Sequence, residues 1–195
     1  MVLPQLIEKL LKALLINYMN KTFSHLRVSS EYSITQGLLT INQLVECAKK
    51  HSVPSLALTD KSNMFAMVKF FSKCEAQGIK PISGSSLKVI FDEDDTSHEL
   101  LLLAKNNNGH KNLMKVISNA HNNFKYQNPI ISFKDLQEFK DDVIAISGGK
   151  DSHLFELIKR KKNNEVLNRI DKFLKIFKDD FFIEVQKTNR SDEHE

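Results

Sequence analysis

Residues 3 to 18 place Leu3, Leu6, Ile7, Leu10, Leu11, Leu14, Leu15 and Tyr18 at helical spacing, with Glu8, Lys9 and Lys12 on the opposite side. That spacing predicts an amphipathic helix. The three charges interrupt the apolar run and Asn17 and Asn20 close it, so it falls short of the roughly 20 apolar residues that a membrane span needs. No basic leader precedes it and no small-x-small cleavage site follows it, which argues against a secretory signal. The stripe suits docking on the chain's own domain. An extension upstream of a start at Met19, and binding to a partner or a membrane, are the alternatives.

From Ser24 onward short apolar runs alternate with helical segments, the pattern of parallel strands joined by crossover helices. His25 to Val28 reads as a first strand. Thr40 followed by Gln43 three residues later forms a capping box ahead of Leu44, Val45 and Ala48, in a helix ending near His51. Ser55 to Thr59 reads as a strand, followed by a helix over about 63–73 with Phe65, Val68 and Phe71 inward, stopped by Gly78. Lys80 to Ser83 and Leu87 to Phe91 read as two extended pieces, with the acidic stretch Asp92 to Asp95 as a solvated hairpin or loop. Glu99 to Ala104 is expected to be a strand, Asn106 to Gly109 a turn, and 110–121 a helix. Val143 to Ser147 is expected as a buried strand ending in Gly148 and Gly149. Val166, Leu167, Ile170, Phe173, Leu174 and Phe177 mark one face of a long helix before a last strand, Phe181 to Gln186.

At 195 residues the chain is long enough for one domain of ordinary size, and 41% hydrophobic with 27% charged residues excludes a wholly disordered or collagen-like polypeptide. A net charge of +4 spread along the length does not mark a nucleic-acid binder. Cys47 and Cys74 stand far apart, giving neither a zinc-binding pair nor a disulfide framework, which fits a reducing, cytoplasmic setting. No period of 20 to 50 residues recurs, so a repeat array is excluded.

Candidate chemistry is sparse. Gly148, Gly149 and Lys150 at a strand end suggest a phosphate loop, but Ile144 stands where that loop needs its first glycine and Asp151 where it needs Ser or Thr. A plain strand-to-helix turn is the better reading. There is no GxGxxG, no GxSxG elbow around Gly84, Ser85 and Ser86, and no HExxH among the seven histidines.

Three segments are more informative: Phe23-Ser-His-Leu-Arg-Val-Ser-Ser-Glu-Tyr-Ser33 with Gly37, Leu56-Ala-Leu-Thr-Asp-Lys-Ser-Asn-Met64, and Gly78-Ile-Lys-Pro-Ile-Ser-Gly84. Leu103-Ala-Lys-Asn106 with Gly109 and Asn112-Leu113, Ile146-Ser-Gly-Gly149, and Phe182-Ile-Glu-Val-Gln-Lys-Thr-Asn-Arg190 before Asp192-Glu193 follow in order. Together, from about Met19 to the C-terminus, they resemble the polymerase and histidinol phosphatase (PHP) domain that opens the alpha subunit of bacterial DNA polymerase III. Residues 1 to 18 lie outside the resemblance as an amphipathic extension, and 19 to 195 correspond to a PHP domain that stops before its last strands.

The resemblance implies a distorted (β/α) barrel, incomplete at its C-terminal end, with family loops at the strand C-terminal ends supplying His, Asp and Glu to a metal cluster. Such ligands lower the pKa of a bound water and clamp a phosphate ester. Matched position by position, the His-x-His of the first motif falls at Arg27 and Ser29, and the acidic position before the following glycine at Gln36. The histidine after Thr59-Asp60 is Lys61, the next acidic position is Ser86, and the histidine of the following strand is Glu99, with His98 on the opposite strand face. Of these six positions only Glu99 keeps a ligating group. The expectation is therefore no metal, no cofactor and no catalytic residue in this chain, with Arg27 and Lys61 pairing with Asp60 or Glu99. The resemblance further implies a parent chain that performs DNA-directed nucleotidyl transfer with magnesium and contacts DNA elsewhere. Within it this domain would be a scaffold docking the proofreading exonuclease among the replicase subunits, away from membranes. A free-standing metal-dependent phosphoesterase of the histidinol phosphatase type is the alternative.

Overall fold

The computed structural model describes residues 23–34, 36–91, 94–122 and 128–186. The helix predicted over 3–18 and the end of the chain from 187 lie outside the described residues. A mixed six-stranded sheet organises the rest: β1 (Ser55–Leu58), β2 (Lys80–Phe91), β3 (Asp94–Ala104), β4 (Ile130–Ser132), β5 (Val143–Ile146) and β6 (Phe181–Phe182). The order is β1-β2-β3-β5-β6, with β4 also paired to β2, and the sheet does not close on itself. β1 and β4 run parallel to β2, and β5 runs parallel to β6, whereas β3 is antiparallel to both its neighbours. Of the acidic stretch expected as a hairpin or loop, Asp94 and Asp95 belong to β3, and 92–93 lie outside the described residues.

Strand periodicity fixes what each face carries. Leu100 and Leu102 of β3, with Val143 and Ala145 of β5, join the main core beneath α3 (Asn107–Asn122) and α6 (Asn163–Phe177). Leu101, Leu103 and Ile146 point the other way and form a small cluster with Ala57. A strand buried on both faces reads as a continuous apolar run, which is why Leu100 to Leu103 needs no polar alternation. A second core, built on Leu56 and Leu58, lies under α1 (Ile41–Lys50) and α2 (Met67–Ala76). Thr40 and Gln43 cap α1 reciprocally, the box expected from sequence.

Several local expectations are corrected. The helix placed over 63–73 begins at Met67 and buries Met67, Phe70 and Cys74, while Phe65 and Val68 are exposed. Asn63 causes the delay: its side chain donates to the Tyr32 and Lys61 carbonyls, holding a turn where the first helical residues were expected. The two pieces Lys80 to Ser83 and Leu87 to Phe91 are one strand, because Gly84 through Ser86 keep pairing with Leu103 through Leu101. Asn106 caps α3 rather than extending a turn, its side-chain oxygen accepting from the amides of Asn108 and Gly109. In α6 Phe173 and Phe177 are buried as expected, but Leu167 and Leu174 face outward and Arg169 and Ile176 are buried instead. The last strand spans only Phe181–Phe182, and the short α4 (Phe133–Leu136) and α5 (His153–Lys159) escaped the sequence pattern altogether.

The two thiols differ sharply. Cys47 is exposed on α1, whereas burial under α2, reinforced by the charge of Glu75, pushes the Cys74 thiol from an ordinary 9.0 to about 11. One thiol per chain should therefore react rapidly with an aromatic disulfide reagent at mildly alkaline pH, and the second only after denaturation. Two fast thiols would mean that α2 does not pack as described. Because the folded state holds this proton more tightly than the unfolded chain, the contribution is full below the unfolded value and lost as pH climbs from about 9 towards about 11.

Candidate functional site: an ion triad across the open sheet

Residues 25–28, expected as a regular strand, instead form an irregular extended segment beside β1. The amide of Ala57 donates to the His25 carbonyl (3.1 Å) and that of Thr59 to the Val28 carbonyl (2.8 Å). Three steps of one segment thus match two of the other, so one extra residue is accommodated as in a β-bulge. The bulge falls at Leu26 and Arg27 and frees Arg27 to reach across the molecule.

The guanidinium of Arg27 meets two carboxylates. Its Nε and Nη2 donate to the two oxygens of Glu184 at 2.8 and 2.7 Å, a bidentate fork, and Nη1 donates to Glu99 Oε1. The three side chains are largely withdrawn from solvent, with exposures of 28% for Arg27, 10% for Glu99 and 15% for Glu184. Burial works to lower the Arg27 pKa, but the hydrogen bonds to Glu184 and Glu99 and the charges of both carboxylates outweigh it, so the net shift is upward.

Topology gives this triad its meaning. Arg27 stands outside β1 at one end of the strand order, Glu184 follows β6 at the other, and Glu99 lies on the central β3. An ion pair therefore spans the two edges that backbone pairing leaves unjoined. Two neighbours fix Glu184 in place, since its amide donates to Ser147 Oγ (3.0 Å) and Gln186 Nε2 donates to its Oε1 (2.7 Å). Glu99 is placed by close packing at Gly148, whose φ of 93° and contact with the Glu99 backbone leave no room for a side chain: a Cβ there would lie 2.1 Å from the Glu99 carbonyl oxygen.

The other expected positions gather differently. Asp60 is 1% exposed and pairs with hydroxyls rather than with a cation. Its carboxylate accepts from the Ser30 amide (2.7 Å), Ser30 Oγ (2.7 Å) and Ser33 Oγ (2.6 Å). This corrects the expected pairing of Lys61 with Asp60: Lys61 is exposed, its amide donates to Ser33 Oγ, and among the described residues it forms no ion pair. Lys61 and Ser86 are backbone neighbours in an isolated bridge, and Ser86 is tied by its amide to the Asp60 carbonyl. Gln36 is exposed on the loop that Asp60 holds, and Ser29 is half-buried beside Ser30.

Of the six positions singled out in sequence, the structure joins Arg27 with Glu99. The partner that sequence reasoning missed is Glu184, whose only signal was its place in the Phe182-Ile-Glu-Val motif, 157 residues from Arg27. His98 faces away from the triad, as its parity with Glu99 requires, stacked on His153 at 4.4 Å. Among the described residues, no three His, Cys, Asp or Glu side chains converge as a metal-ligand set, and no helix is long and apolar enough to cross a membrane.

The fold and site define a class of open, parallel-rich α/β sheet with a polar cluster between its edges. Within that class the chain belongs to the PHP domain family, whose model matches residues 25–188. It is 34% identical over 180 residues to the DNA polymerase III subunit alpha of Borreliella burgdorferi, covering 88% of this chain and 16% of that protein. To the same subunit of Escherichia coli it is 36% identical over 174 residues, covering 88% of this chain and 15% of that protein. The chain thus spans about one sixth of the length of these relatives. Among solved structures, it is similar to an amidohydrolase from Chromobacterium violaceum with a TM-score of 0.41 and 18% identity, covering 50% of this chain and 32% of that one.

Proposed function

We propose that this chain is the PHP domain of a DNA polymerase III alpha subunit in which an internal ion triad has replaced the metal centre, and that it serves as a non-catalytic scaffold. The observation that carries this reading is the Arg27 guanidinium seated between Glu99 and Glu184. A divalent cation needs carboxylate, imidazole or thiolate donors with free lone pairs. Here one of the six ligand positions keeps a carboxylate, and that carboxylate already neutralises an arginine, so the residues present do not fit a metal. A permanently protonated cation supplies the charge a metal would bring but holds no water to activate, so it can brace the site without hydrolysing an ester.

In this reading nucleotidyl transfer, its magnesium and the contacts with DNA belong to parts of the parent chain outside this segment, which is supported by the segment's matching only about one sixth of its relatives' length. Docking of the proofreading exonuclease and other replicase subunits is part of the same proposal. Its support is the kinship with alpha subunits, which work within a replicase.

Two measurements on the purified chain test it. Phosphate-ester hydrolysis with added zinc, manganese or magnesium should stay at the buffer rate, and the chain should co-migrate with a purified proofreading exonuclease subunit in size exclusion. Metal-dependent hydrolysis that disappears in Glu99→Ala would establish the phosphoesterase alternative. Failure to co-migrate would remove the docking role.

A further inference from the structure

We draw no further inference here: the strongest candidate, the apolar trough on the inner face of the open sheet with Phe23, Val68, Ile183 and Val185 exposed around it, carries none because nothing in the structure shows what covers it.

Discussion

Arg27→Ala should destabilise the folded chain by about 2 to 3 kcal/mol, because it leaves Glu99 and Glu184 facing one another, largely buried and without a counter-ion. For a chain of this size that corresponds to a fall in melting temperature of roughly 5 to 10 °C. The loss should depend on pH with a definite sign. Two carboxylates deprived of their cation bind protons more tightly in the folded variant than in its unfolded chain. The variant therefore gains stability relative to the parent as pH falls from neutral towards mildly acid, and loses it as pH rises again. Arg27→Ala with Glu99→Gln should recover part of the loss at neutral pH by removing one of the facing charges. A single variant as stable as the parent at all pH values would mean that the triad contributes nothing to holding the two sheet edges together.

Asp60→Ala should be at least as damaging, at about 3 to 4 kcal/mol, since it strands the Ser30 amide and the Ser30 and Ser33 hydroxyls without their charged acceptor. Ser33→Ala removes one donor and leaves the carboxylate otherwise satisfied, so about 1 kcal/mol is expected. The two effects should be local in origin. Ser30 and Ser33 tie their loop to this carboxylate, and protease cleavage beside them should rise sharply in Asp60→Ala while α6 stays protected. Equal melting temperatures and equal urea midpoints for the parent and Asp60→Ala would refute the assigned role of the carboxylate.

Local signals in the sequence were legible wherever one element settles its own structure. The Thr40 and Gln43 box, the strand over Glu99 to Ala104 and the opposite parity of His98 and Glu99 follow from periods of 3.6 and 2 and from unsatisfied helix amides. What failed depended on contacts from elsewhere. The start of α2 is delayed by Asn63 bonding to Tyr32, and β2 continues through Gly84 to Ser86 because β3 lies alongside. The outward turn of Leu167 and Leu174 follows from burial of Arg169, whose guanidinium lies 3.8 Å above the Phe91 ring, a contact no helical period announces.

The site divides the same way. Alignment of motifs identifies Arg27 as a cation where a ligand should stand and Glu99 as its neighbour, and the structure joins them. It could not identify Glu184, because the bulge at Leu26 that aims Arg27 and the Ser147 hydroxyl that holds Glu184 are set by tertiary packing. The same applies to Asp60, for which the sequence suggests a lysine partner and which is satisfied instead by two serines and an amide from the loop above it.

The proposal that the Arg27, Glu99 and Glu184 triad stands in place of a metal centre is tested most directly by titrating the purified chain with manganese and with zinc in a calorimeter, after elemental analysis of the protein as isolated. The expected result is less than stoichiometric metal on isolation and no saturable binding heat. Close to one equivalent of bound metal, with binding abolished in Glu99→Ala, would contradict it.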